Sequence, residues 1–422
     1  MTMRTQEIRN RFTPFVDRPG VSALMADVLA DQASPAEATS RLLAHLGKER
    51  EVDIQTVEDE RDKRMRAGAE AILARAGSPA VRGLDMSANP YRGMRLDDFA
   101  RDALIRAGVR EARTMDRMRV VGLSFTHSTS DFPVLLENTM HKALQAAWNI
   151  APDTWSKFCV KGTVTDFRAH GRYKVGSLGN LQPVNELGEF KHSPVPDGEK
   201  TSISATTKGN ILSISRQAII NDDLYALTAL PTMAGRAAKR TVEVDVYALL
   251  NSASGAGPTM GDGQPMFHSS HGNLAGSGAA PTMALVDSAR AAMAVQKDIS
   301  GNDYLDLRPA IALVGTAQAG NMRSINDAQY DPDTANKLQK PNIVRGLVRE
   351  VVDSPRTYTT SWYLFADPNE CPAFEVAFLN GIDEPYLEVQ NGFTVDGVAW
   401  KVRLDYGIAA REWRGAYRNP GA

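Results

Sequence analysis

Residues 221–252 read NDDLYALTALPTMAGRAAKRTVEVDVYALLNS, and their reading decides how the rest of the chain can be arranged. Asn221 and Asp222 offer side-chain oxygens of the kind that cap a helix, and Leu224 and Leu227 recur at a helical interval. A short helix is expected there, ended by Pro231, whose ring lacks an amide donor but suits the first position of a new helix. That second helix should run to Leu250, about 30 Å at 1.5 Å per residue. At about 100° per residue, Arg236, Lys239, Arg240, Glu243 and Tyr247 share one narrow arc, and Ala234, Ala237, Ala238, Val242, Val244, Ala248 and Leu249 fill most of the remainder. The expectation is a largely buried rod with one wet edge, whose small alanines let a β-sheet approach closely. Asp245 falls in the apolar arc, where a carboxylate needs a partner, either inside the subunit or on a neighbouring chain.

The 422 residues carry 48 Lys and Arg against 50 Asp and Glu, a formal charge of −2. No strong global field therefore recruits nucleic acid or an anionic membrane. The length allows two or three domains with real cores. Cys159 and Cys371 are the only cysteines, which points to a reducing compartment without a disulfide framework. The N-terminus MTMRTQEIRNRF is polar, and no run approaches the ~20 apolar residues of a membrane span, so a soluble cytosolic product is expected.

Residues 1–115 differ from the rest of the chain. They hold 19 Lys and Arg with 18 Asp and Glu, and Phe12, Phe15, Tyr91 and Phe99 are their only aromatics, whereas all five tryptophans come later. Such a segment is expected to bury little core of its own. EREVDIQTVEDERDKRMRAGAEAILARA at 49–76 combines helix formers with interspersed opposite charges, the pattern of a solvated helix or a weak coiled-coil partner. A second helix is expected over 96–113, with Phe99, Ala103 and Leu104 on one face, and Gly77, Ser78, Pro79, Asn89 and Pro90 interrupt the chain between the two. Residues 101–119 hold six arginines against three acids, a solvated helix face or a nucleic-acid contact. Residues 115–130 are polar and aperiodic, so a domain boundary is placed there.

Asp131 and Pro133 open the next helix, on which Leu136, Met140, Leu144 and Trp148 recur at every fourth position. From Gly162 to Ala205 the chain is glycine-rich, polar and extended, with β-type pieces at 163–167 and 172–175, followed by 181–184 before the next strand. More than 40 residues without a helical pattern seldom pack as a domain, and more often reach out to touch something else. Residues 253–281 form a Gly, Ser and Pro loop. An α/β lobe comes next, with a helix over 283–295 and strands at 310–314, 343–352 and 362–366. Trp400, Val402, Leu404 and Tyr406 alternate with Lys401, Arg403 and Asp405 after a turn at Asp396 and Gly397, which predicts an antiparallel hairpin with one covered face. The fold class is therefore α+β.

Little in the chain points to catalysis. His268 and His271 are the one close histidine pair, with Asp262 upstream, but a third metal ligand is missing and the pair is not on a helix with a glutamate. Ser124, His127 and Asp131 occur without the strand–turn–helix context of an activated serine. The glycine-rich 253–281 stretch lacks the GK[ST] ending of a phosphate-binding loop. Assembly is favoured over chemistry, and no cofactor is expected.

Several stretches also resemble a known family. THSTSDFP at 126–133, APDTW at 151–155, SRQAIINDDL at 215–224 leading to Pro231 and GRAAKR, MFHSSHGNLA at 266–275 and DGVAWKVRLDYGIAAREWRGAYRNPG at 396–421 resemble major capsid proteins of tailed bacteriophages. The likeness is to the subgroup often fused to a prohead protease, with the Hong Kong 97-type shell fold. It covers roughly residues 90–422, with NPYRGMRLDDFARDAL at 89–104 extending it into the leader. The protease domain of the fusion subgroup is absent from this sequence.

What the resemblance implies is an internal scaffolding segment at 1–115, removed on maturation, followed by an N-terminal arm at 116–131 and an N-terminal helix at 132–161. An extended loop at 162–210 would overlap the adjacent subunit. A peripheral domain with the long spine helix would comprise 211–281 and 381–422, and an axial domain 282–380. Arg168, Arg172, Lys174, Glu186, Glu189, Lys191 and Asp245 are the candidate inter-subunit contacts. Processing is expected between Arg110 and Ser128, a window that includes Met115, Arg119 and Gly122, because proteases need extended, exposed backbone. The partners implied are further copies in hexamers and pentamers, a prohead protease, a portal protein, packaged double-stranded DNA held non-specifically and a decoration protein, with no membrane. The location implied is the virion, built in the host bacterial cytoplasm. The alternatives are an encapsulin-like nanocompartment shell and a metal-dependent enzyme using the His268/His271 loop.

Overall fold

The computed structural model describes residues 3–16, 21–31, 33–48, 59–127, 130–174, 199–301, 303–331, 340–391 and 397–422. Their contacts divide the chain into two compact units, Met1–Lys63 and Arg64–Ala422. Residues 181–184 and the residues just before Gly397 lie outside the described residues.

In the first unit, helices α1 (Met3–Phe12), α2 (Val21–Ala30) and α3 (Pro35–Lys48) close on Ile8, Phe12, Val21, Val28, Ala33, Ala38 and Leu42. This corrects the expectation of a segment that buries little core of its own. Ile8 and Phe12, and likewise Ala38 and Leu42, stand four residues apart and so share a helix face. The charges that dominate the composition sit on the outer faces, in exposed pairs such as Arg11–Glu7 and Arg41–Glu37 that add little stability.

The second unit begins within helix α4 (Glu60–Arg75) and continues through α5 (Leu96–Arg106), α6 (Arg117–Thr126) and α7 (Phe132–Ile150). The expected aperiodic boundary at 115–130 is instead helical. Asp116 caps α6 by accepting from the Arg119 amide at 2.9 Å, and Val120, Val121 and Ser124 are buried. On α7 the fourfold stripe of Leu136, Met140, Leu144 and Trp148 is buried as expected. Ile72, Phe99, Leu104, Val120 and Val121 share one core with Phe132, Leu136, Met140, Trp400 and Val402. Residues 64–126 are thus built into the subunit, and no boundary of contacts falls at residue 115.

After α8 (Trp155–Phe158) and α9 (Arg216–Ile220), the organising helix α10 runs unbroken from Leu224 to Leu250 with Pro231 inside it. The expected break does not occur. Proline removes one ladder bond, but α10 is held from outside by α7, so closely that a Cβ on Gly235 would lie 2.5 Å from the Leu144 carbonyl oxygen. Nor does Asp222 cap its own helix. It adopts φ 58°, and its carboxylate accepts from the amide of Leu96 at 2.9 Å, the first residue of α5. The wet edge is rotated as well: Glu243 and Tyr247 are buried, and Arg236, Arg240, Val244 and Ala248 face out. Glu243 turns inward because it accepts from the amides of Thr154 and Trp155, at 3.0 and 3.3 Å, at the start of α8.

Two larger sheets and a two-stranded one complete the unit among the described residues, confirming an α+β fold. In the first, β1 (Cys159–Val164) runs parallel to β8 (Phe374–Leu379), and β8 antiparallel to β10 (Gly397–Ala410). The first part of β10 is flanked by β4 (Thr206–Ser215) and β9 (Tyr386–Asn391), both antiparallel. The expected alternation on β10 is observed, with Trp400, Val402, Leu404 and Tyr406 buried. In the second, β11 (Ala416–Asn419), β7 (Trp362–Phe365), β5 (Ile311–Val314) and β6 (Glu350–Asp353) lie in that order. Helices α11 (Met283–Ala294) and α12 (Ala319–Asp327) share the core on one face of this sheet. The expected strand at 343–352 shrinks to Glu350–Asp353.

The chain crosses between the sheets more than the sequence suggested. β8, expected in the axial part, lies beside β10, and β11, expected in the peripheral part, lies beside β7. Strand registers over long sequence separations decide this, and the two sheets meet in one core. Phe158 stacks on Phe365 with ring centres 5.0 Å apart, among Val242, Val246, Ile311, Tyr363, Phe374 and Tyr406.

Candidate functional site

Strands β2 (His170–Lys174) and β3 (Glu199–Ile203) pair antiparallel and form the root of the expected extended loop. Each carries one half of an ion pair to the body. Arg172 on β2 donates through Nη2 and Nε to Glu375 at 2.7 and 3.0 Å, and again through Nη2 to the Thr163 carbonyl at 2.8 Å. Glu375 lies on β8 with its side chain only 2% exposed, and Arg411 approaches its other oxygen at 3.4 Å. Gly162 makes this possible, because a Cβ there would lie 1.9 Å from Glu375 Oε1.

Glu199 on β3 is taken in a bidentate grip by Arg414, at 3.0 and 3.1 Å. Arg414 also holds Glu412 at 2.9 Å and stacks over the Trp413 ring at 4.2 Å. Burial opposes the charge on Arg414, but the hydrogen bond to Glu199 and the fields of Glu412 and Glu199 outweigh it and raise its pKa. The two clamps fix both strands of the root against the body. Bidentate pairs of this kind, each with one buried partner, Glu375 or Arg414, give geometric definition as well as energy.

The sequence candidates fall in different places. Arg168 is exposed, in a turn where its amide donates to Asp166 at 2.9 Å. Arg172 is engaged within the subunit, and Lys174 stands opposite Glu199 in the β2–β3 register. Glu186, Glu189 and Lys191 lie outside the described residues. Asp245 finds its partners internally, Lys208 Nζ at 2.5 Å and the hydroxyl of Tyr406. Burial, then the hydrogen bond and charge of Asp245, hold the Tyr406 phenol protonated well above its ordinary range. Glu375, Arg411, Glu412 and Arg414 were missed. The signal for Glu375 was present, a lone carboxylate inside the apolar strand FEVAFL, which demands a partner.

Most of the described part of the processing window is helical rather than extended. Arg110 begins a 3-10 turn, Met115 is half-buried, and Arg119 and Gly122 lie on α6, while Ser128 is outside the described residues. Arg101 donates to the carbonyls of Ala112, Arg113 and Met115 and so pins the turn.

In the 253–281 loop, His271 is buried and stacked 4.2 Å from Trp413. Its Nδ1 meets the Met266 carbonyl at 3.0 Å and its Nε2 meets Asp262 at 2.6 Å. His268 turns instead to Ser270 at 2.7 Å. Among the described residues, no three His, Cys, Asp or Glu side chains are placed to share a metal ion, and the histidine pair acts as a loop clasp. No helix is long and apolar enough to cross a membrane among the described residues.

The family model described as phage capsid protein matches residues 198–419, from the edge of β3 to the end of β11. The chain belongs to the phage capsid proteins. The matched span contains Glu199, Glu375, Arg411 and Arg414, so most of both clamps lies within the part that defines the family. The role of this capsid protein is structural. Similar solved structures include the virus-like particle from Pyrococcus furiosus, at 13% identity and TM-score 0.41, covering 67% of the capsid protein and 97% of that chain. The capsid of cyanophage P-SCSP1u is similar at 12% identity and TM-score 0.42, covering 64% and 89%. The procapsid of bacteriophage JBD30 is similar at 14% identity and TM-score 0.37, covering 68% and 74%. No curated protein matches the sequence.

Proposed function

We propose that this capsid protein builds the icosahedral shell of a tailed phage, in the Hong Kong 97-type arrangement of hexamers and pentamers, around double-stranded DNA. The observation that carries the reading is the family match over residues 198–419, which contains the long helix, most of both sheets and one strand of the clamped root. A contact element that reaches beyond its own subunit has to be aimed from a rigid base, and Arg172–Glu375 and Arg414–Glu199 supply one. The extended loop above that base overlaps the adjacent subunit, and the lobe around β5–β7 meets its copies at the capsomer centre. The near-neutral chain, at −2, suits a wall that does not hold DNA tightly, since binding to DNA grows with the number of phosphates neutralised.

The N-terminal unit acts as an internal scaffold that a prohead protease removes, with a portal protein at one vertex and a decoration protein as further partners. Assembly takes place in the host bacterial cytoplasm and the product is the virion. Sedimentation of the protein expressed alone and with a prohead protease tests this reading. Large particles are expected in both cases, with a shortened chain only in the second. A slow-sedimenting single subunit in both would contradict it.

A further inference from the structure

Residues 64–115 were expected to belong to a disposable leader and 116–126 to an N-terminal arm, yet both are bound to the subunit on several sides. Gly68 on α4 lets that helix approach α7 closely: a Cβ there would meet Leu135 at 3.0 Å and Phe99 at 3.3 Å. Ile72, Phe99, Leu104, Val120 and Val121 are at most 4% exposed and close the same core as Trp400 and Val402 of β10. Polar anchors surround this contact. Arg75 holds Asp222 at 2.5 Å, Asp222 caps α5 through the Leu96 amide, and Lys142 on α7 reaches Glu70 at 3.3 Å. Asp97, itself buried, is paired with Arg117 at 2.9 Å.

Of these attachments only Arg117, Val120 and Val121 come from residues 110–128, and they act through side chains rather than through chain continuity. We propose that residues 64–126 are a permanent part of the subunit, so that a cut in the 110–128 window leaves residues 64–110 docked on α7, α9, α10 and β10. The apolar face of α7 and the Trp400–Val402 strand form a receiving surface whose occupant is the chain's own α4–α5 segment. Release of the N-terminal unit then requires a cut before residue 64. The inference bears on processing within the proposed shell reading, but it is a property of the single subunit and stands or falls without shells.

The test uses the full chain with a site-specific protease sequence inserted after the exposed Thr114. After cutting, a denaturing gel should show two pieces and a native sizing column one peak, with the pieces parting only in denaturant. D222N, which keeps a residue suited to a left-handed backbone but weakens the link to Arg75, should lower the urea concentration of release. Hydrogen exchange on the uninserted full chain gives a second reading: amides of α5 should be protected as strongly as those of α7. Separate peaks in native buffer, an unchanged release midpoint in D222N, or fast exchange throughout α5 would each overturn the proposal.

Discussion

Arg172 grips Glu375 with two nitrogens at 2.7 and 3.0 Å across 203 residues of sequence, and Gly162 leaves the space in which that grip forms. Removing one partner of a buried pair strands the other charge, at a cost of about 3–5 kcal/mol. Arg172→Ala should therefore cost that much in urea unfolding. The approach of Arg411 to the same carboxylate should place it at the lower end of the range. Gly162→Ala should displace the carboxylate and give a loss of similar size. An unchanged urea midpoint in both variants would show that the clamp contributes nothing.

The long helix gives a second contrast. Gly235 faces backbone at 2.5 Å, and Gly235→Ala should overpack by ~1–3 kcal/mol. Of the alanines expected to meet the sheet closely, Ala238 packs against the core that holds Leu404 and Tyr406 and Ala234 against the one that holds Trp400 and Val402. Ala234, Ala237 and Ala238 line a groove of about 440 Å³ opposite Val402, Leu404 and Tyr406. Ala237→Leu adds bulk to open space and should cost less than ~1 kcal/mol. Thermal unfolding of the two variants compares them directly, and an equal loss in both would contradict this account.

A third prediction concerns acid. Burial opposes ionisation of Asp222, but Arg75 and the Leu96 amide outweigh it and hold its carboxyl below the usual carboxylate range. A depressed folded pKa contributes stability that is fully present above the unfolded value of ~3.9 and is lost as pH falls through the folded one. Asp262 is held down in the same way, burial being outweighed by the hydrogen bond from His271 and the Gln264 amide. Stability should therefore fall below about pH 4, and D222N should show a shallower fall. Identical acid profiles for wild type and D222N would remove Asp222 from the explanation.

The parts of this fold that were legible in the sequence are those that repeat. The Leu136, Met140, Leu144, Trp148 stripe and the Trp400–Tyr406 alternation each present the same signal several times, and both emerged as read. Helix α6 escaped because Val120 and Val121 are adjacent, which marks no period. Pro231 misled because its local preference was overridden by contact with α7. The arginine clamps could not be read at all from spacing, since Arg414 meets Glu199 over 215 residues. Asp245 could be flagged as needing a partner, but only the fold names Lys208 and Tyr406.

Electron microscopy of the purified full-length protein tests the central claim most directly. Closed, uniform shells with fivefold vertices are predicted for the wild type. Monodisperse subunits or irregular aggregates across the range of salt and pH in which the protein remains folded would contradict the account.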